Sequence, residues 1–244
     1  MAIGPDPRFT LRTQSMSGAQ ADAAGIDAGL RTYMLKVYNY MCIGLALTGG
    51  VAYATSTSET LMQAIFGTPL QWVVMLAPLG LVFFLAAKVN TMKASTAQTV
   101  FWVYSALVGL SISFIFLAYT GASVTRVFFI TAGAFAGLSL YGYTTKRDLS
   151  PIGSFLIMGV IGILIASVVN IFLASSGLQF VISVLGVLIF AGLTAYDTQR
   201  IKAIYNAADG SEVSEKKAVM GALTLYLDFL NMFLFMLQLF GNRN

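Results

Sequence analysis

No charged side chain occurs between Leu149 and Tyr196. A membrane-crossing helix needs about twenty mainly apolar residues to cover a hydrocarbon core of roughly 30 Å. The run is too long for one crossing and long enough for two. Ser175-Ser176-Gly177 is the natural break between them. In lipid, backbone polar groups must be satisfied internally, so a run of this kind is helical.

The rest of the chain fits the same class. Of 244 residues, 57% are hydrophobic and 10% are charged, against about 25% charged in a soluble domain. Runs of low charge predict spans over residues 37–57, 70–88, 97–119, 123–143, 151–174, 178–200 and 218–240. The expected fold class is therefore all-α integral membrane, with seven transmembrane helices joined mostly by short loops. Residues 1–30 are polar and rich in small side chains, without an apolar core of signal-peptide length. They read as a disordered cytoplasmic tail before a membrane domain over 31–244. Gly133 and Gly137 stand at GxxxG spacing, which lets helix backbones approach closely and predicts packing within the bundle.

Basic residues orient the chain. Of the fourteen Lys and Arg, all but Arg126 and Arg243 fall in segments that share one side if the N-terminus is cytoplasmic. The positive-inside rule then predicts a cytoplasmic N-terminus and an outer C-terminus. The net charge of +4 reflects these loops and gives no reason to expect nucleic acid. There is no histidine, which excludes His-ligated metals, histidine-based catalysis and histidine pH sensing. The single cysteine, Cys42, permits no intrachain disulfide and reads as a packing residue.

Carboxylates carry what chemistry remains. Asp6, Asp22, Asp27, Glu59, Asp148, Asp209, Glu212 and Glu215 fall in the tail or in loops, while Asp228 falls midway along the last span. An aspartate at a helix centre costs about 2.5–3.5 kcal/mol to insert, so it faces the bundle interior and takes a partner. Asn231 follows one turn later on the same face and is a candidate auxiliary oxygen donor for protons or a hard cation. Calcium takes six to eight oxygens, so such a pair offers weak coordination only.

Asp197, in the sequence AYDTQRIK, lies near the inner end of the sixth span. Two readings stand side by side. Asp197 either marks the helix end, neutralised by Arg200 at i+3, or it turns inward to meet Asp228. Depth weighs against the meeting. Asp197 lies roughly 5 Å along its helix from Arg200, and Asp228 roughly 16 Å from Lys217. They come level only if the last helix begins below the membrane or the basic side chains snorkel. Two carboxylates brought together in a dry site would share a proton and titrate as a pair. Lys88, at the inner end of the second span, either snorkels to the interface or forms a latch to Asp197.

Seven spans, the inner-end AYDTQRIK and the final LYLDFLNMFLFMLQLFG together resemble the Bax inhibitor-1 family, the transmembrane Bax-inhibitor-motif proteins and their bacterial relatives. The likeness covers about residues 30–242 and extends through MLAPLGLVFFLAAKVNTMKAS. It implies two three-helix layers around a central seventh helix. It also implies a pH-sensitive calcium leak across the membrane, with Asp197 and Asp228 as a hydrogen-bonded pair near the cytoplasmic side; the basic cytoplasmic loops suit a bacterial inner membrane, with a eukaryotic internal membrane as the alternative. In some relatives a basic residue on the second helix closes a latch on the first acid. Lys88 is the nearest match, although Arg is common there. One bacterial branch instead binds and modulates a membrane protease, so a non-transporting regulator of proteolysis or stress response is the alternative.

An enzyme is not expected. Intramembrane aspartyl proteases carry GxGD, whereas this chain has Leu225-Tyr226-Leu227-Asp228. No cofactor is expected beyond a weak interaction with Ca²⁺, and the expected partners are Ca²⁺, protons, the lipid bilayer and, in the alternative reading, a membrane protease.

Overall fold

The computed structural model describes residues 18–244, with side chains described from residue 25. Among the described residues nine helices follow one another: α1 (Gly18–Ser56), α2 (Glu59–Phe66), α3 (Leu70–Lys88), α4 (Ala94–Ile112), α5 (Ile115–Ala118), α6 (Gly121–Thr144), α7 (Ser150–Leu173), α8 (Ser176–Ala203) and α9 (Ser211–Phe240). No strand occurs among the described residues. A single antiparallel bridge pairs Tyr119 with Arg243.

Local chemistry explains where the helices start and stop. Ser58, Thr120 and Ser175 each accept a backbone N–H from the first turn of the helix that follows. Asp148 accepts the Ser150 N–H at 2.9 Å. That bond holds its exposed carboxyl below the usual range. Pro151 then sits in the first turn of α7, where no N–H is needed. At the other end of α7, Ala174 adopts φ 48° and Ser175 caps α8. Two residues thus reverse the chain, close to the predicted break.

Six helical stretches are long and apolar enough to cross a membrane: α3, α4 with α5, α6, α7, α8 and α9. The expected first span, 37–57, forms the second half of α1. It is not among the six. Tyr38, Asn39 and Tyr40, then Thr48-Gly49-Gly50, dilute its apolar character. The tail boundary expected at residue 30 falls inside α1, which begins at Gly18. Residues 1–17 of that tail lie outside the described residues. The span expected at 97–119 is broken at Ser113 and Phe114, between α4 and α5. The Ser113 hydroxyl donates to the Leu110 carbonyl (2.8 Å), a local bond that competes with the helix ladder.

The core sits around α9. It packs against α8, α1, α6 and α4, while α3 packs on α4 and α7 packs on α8. Of the apolar stretch of α9, 61% is buried, against 11% for those of α3 and α7. The helix richest in buried residues is therefore enclosed by protein. The outer helices present Phe83, Phe84, Phe155, Ile171 and Phe172 outward, a surface that suits lipid and not water.

Close approaches occur at other glycines than those predicted. A methyl group at Gly133 or Gly137 would meet nothing within 4 Å, so the GxxxG pair faces outward and does not pack in the bundle. At Gly142 it would overlap the Ala195 carbonyl, and at Gly153 the Tyr196 ring. These positions seat α6 and α7 against α8.

Candidate functional site

On α8 the buried residues Gly186, Phe190, Leu193, Asp197 and Ile201 recur at helical spacing. That stripe faces α9 as an apolar face would, except that one of its members is an aspartate. The matching row on α9 runs through Gly221, Leu225, Asp228, Met232 and Met236. Ile201 packs on Gly221 near one end of the pair, and Phe235 packs on Gly186 near the other. The antiparallel register fixed by these two contacts places Asp197 within a turn of Asp228.

The depth difference inferred from the sequence is removed by helix length. α9 begins at Ser211, about two turns before its apolar run. Asp197 and Asp228 are 7% and 4% exposed, and their carboxyl groups neighbour each other across the α8–α9 contact. Asp228 Oδ2 is buried without a hydrogen-bond partner.

Asp197 also keeps its neighbour. Arg200 Nη1 lies 4.0 Å from Asp197 Oδ1, with the guanidinium side largely exposed. The inward and outward readings of Asp197 therefore coexist in one geometry. The candidate latch is not joined: Lys88 is exposed at the end of α3, and the ion-pair partner of Asp197 is Arg200. Asn231 donates to the Leu227 carbonyl of its own helix at 2.8 Å and lends nothing to the pair. Among the described residues, no three metal-ligating side chains cluster.

Three further sets of polar contacts surround the site and were not read from the sequence. Thr198, next to Asp197, bonds Ser139 at 2.9 Å, and Ser139 bonds Tyr38 at 2.6 Å. This buried chain links α8, α6 and α1. Tyr226 bonds Thr48 at 2.7 Å, and Thr48 donates to the Ser105 carbonyl at 2.8 Å, which ties α9 to α1 and α4. At the basic end, Glu215 binds Lys36 (2.6 Å) and Tyr40, Asp209 binds Lys217 (2.5 Å), and Glu212 accepts the Ala94 N–H (2.6 Å). Glu212 and Glu215 lie on the first turns of α9 and not in a loop. Only SEVSE, with acids three residues apart ahead of an apolar run, hinted at a helix start there.

Comparison with known proteins places the chain among relatives of similar length. A family model described as inhibitor of apoptosis-promoting Bax1 matches residues 30–244. The inner membrane protein YbhL of Escherichia coli strain K12 is 46% identical, over 88% of this chain and 94% of that protein. The RP147 protein of Rickettsia prowazekii is 49% identical, over 89% of this chain and 92% of its own length. A Caulobacter vibrioides protein is 47% identical over 94% of this chain and 96% of its own. Matched along almost all of its length from α1 to its last residue, this multi-pass membrane protein belongs to the Bax inhibitor-1 family.

Proposed function

We propose that this protein is a pH-sensitive calcium leak channel, gated by Asp197 and Asp228. The observation that carries the reading is the closeness of two buried carboxyls at the α8–α9 contact. Intramembrane acids turned into a bundle mark ion and proton paths. Nothing else on these two helical stripes is ionisable. With one shared proton, the pair holds α8 to α9. A change in its proton count leaves either two repelling charges or two neutral groups, and both alter that contact. The present geometry, with both carboxyls out of contact with solvent, corresponds to the closed state.

In this reading α1 crosses the bilayer as well, giving seven crossings, a cytoplasmic N-terminus and an outer C-terminus. The six other crossings form two groups, α1, α3, α4 and α6, α7, α8, on either side of α9. Calcium passes as a transient ligand, because two carboxylates supply few of the oxygens it takes. Like the inner membrane protein of Escherichia coli that it resembles, the protein resides in an inner membrane in this reading.

The test is calcium-dye flux in proteoliposomes across a pH series. Wild-type protein is expected to conduct with a pH-dependent rate. Asp197→Asn and Asp228→Asn are expected to flatten that dependence. Unchanged flux and pH response in both variants would discard the gate. Absent flux in the wild type, together with copurification of a membrane protease, would favour the regulator reading.

A further inference from the structure

A cavity of about 750 Å³ lies away from the carboxyl pair. It is a groove between α1 and α6, floored by Phe135 and by Phe229 of α9. Its walls are almost wholly apolar, and Leu35, Cys42 and Leu140 on its rim are exposed. Along α1 it runs from Arg31 to Ala46, roughly 22 Å of helix. One leaflet with its headgroup layer is about 20–22 Å deep. The groove therefore has the depth of a single leaflet.

Its polarity is graded in the same sense. Arg31 lines one end and is exposed. Tyr143 lines the groove from α6, and Lys202 of α8 sits over its ring at 4.8 Å while donating to its carbonyl at 2.9 Å. Arg31 thus lines the end that carries the chain's basic segments, and Lys202 lies behind the lining residue Tyr143. The remainder descends between Met41, Leu45, Ala132 and Ala136 with no charge. Basic pockets between helices on the cytoplasmic side suit anionic headgroups.

We propose that the α1–α6 groove is a binding site for one anionic phospholipid of the cytoplasmic leaflet. Its phosphate sits between Arg31 and Lys202, and an acyl chain lies along Cys42, Ala132 and Ala136. The small side chains at 132 and 136 leave room for the chain. The Tyr38–Ser139 bond closes the floor at the level where headgroup gives way to tail.

The protein is reconstituted in vesicles of equal phosphatidylglycerol and phosphatidylcholine and extracted in mild detergent. The lipid retained per chain is then counted by mass spectrometry. Wild type is expected to keep about one phosphatidylglycerol in preference to phosphatidylcholine. Arg31→Gln and Lys202→Gln should each reduce that preference about fivefold. Ala136→Phe, at an exposed position on the groove wall, should lose retained lipid of both kinds. A bulky maleimide attached to Cys42 after folding should do the same without any folding risk, since it is the one cysteine and is exposed. The proposal is overturned if wild type keeps the two lipids in their bulk ratio. It is also overturned if filling the groove by either route leaves retention unchanged, if both cation variants keep the full preference, or if a second polypeptide occupies the groove in place of lipid.

Discussion

Asp197 holds a position that the α8 pattern gives to apolar side chains, and Asp228 does the same on α9. A structural link and a titrating gate make different demands on that pair. Removing one buried polar partner strands the other, whereas replacing both by apolar groups of similar shape is close to neutral. The double variant Asp197→Leu/Asp228→Leu is therefore expected to unfold within about 1 kcal/mol of the wild type and to lose pH-dependent flux. Thermal unfolding in detergent and the liposome assay read the two effects separately. A large drop in stability with flux intact would make the pair a packing device. At this scale the sequence was informative about Asp228, which lies too deep to mark a helix end, whether it is a packing link or a functional acid. It was uninformative about Thr198 and Ser139, because a hydroxyl in an apolar run looks the same whether it bonds its own helix or the next one.

Between elements, the contacts that matter were the harder ones to foresee. Spacing alone selected Gly133 and Gly137, yet their face is open, while Gly142 abuts the Ala195 backbone. Gly142→Ala should destabilise by about 1–3 kcal/mol, as overpacking against a carbonyl does, whereas Gly133→Ala and Gly137→Ala should stay within about 0.5 kcal/mol. Unfolding midpoints of the three variants check this. The helix spans from α3 to α9 were legible because apolar length is set by the bilayer. The start of α9 was not. Lys216 and Lys217 look like loop charges in sequence, but Lys217 is held by Asp209, and neighbouring Glu212 and Glu215 are held by α4 and α1. A helix whose first turns are charged yet partnered begins earlier than hydropathy suggests. That shift of two turns is what brings the two aspartates together.

For the whole molecule, orientation rests on the charge bias and on whether α1 crosses. In a Cys42→Ala background, a membrane-impermeant maleimide should label Asn244→Cys on intact cells. Ala207→Cys, in the exposed connection between α8 and α9, should label only after lysis. Labelling of both from one side would mean that α9 does not cross. The overall arrangement, a wall of lipid-facing aromatics and aliphatics around one enclosed helix, was expected from the family likeness. The groove between α1 and α6 was not, because a gap between helices leaves no mark on either one's hydropathy.

The enclosed position of α9 also bears on how the chain is made. It leaves the ribosome after every other helix, and its central aspartate makes bare lipid a poor destination by about 2.5–3.5 kcal/mol. By then α8 has been synthesised, and with it the carboxyl that lies beside Asp228. The last helix is thus drawn from the translocon into a protein cradle and not into the bilayer. Delivery of α9 before its neighbours assemble would leave it at the membrane surface, exposed to quality-control proteolysis.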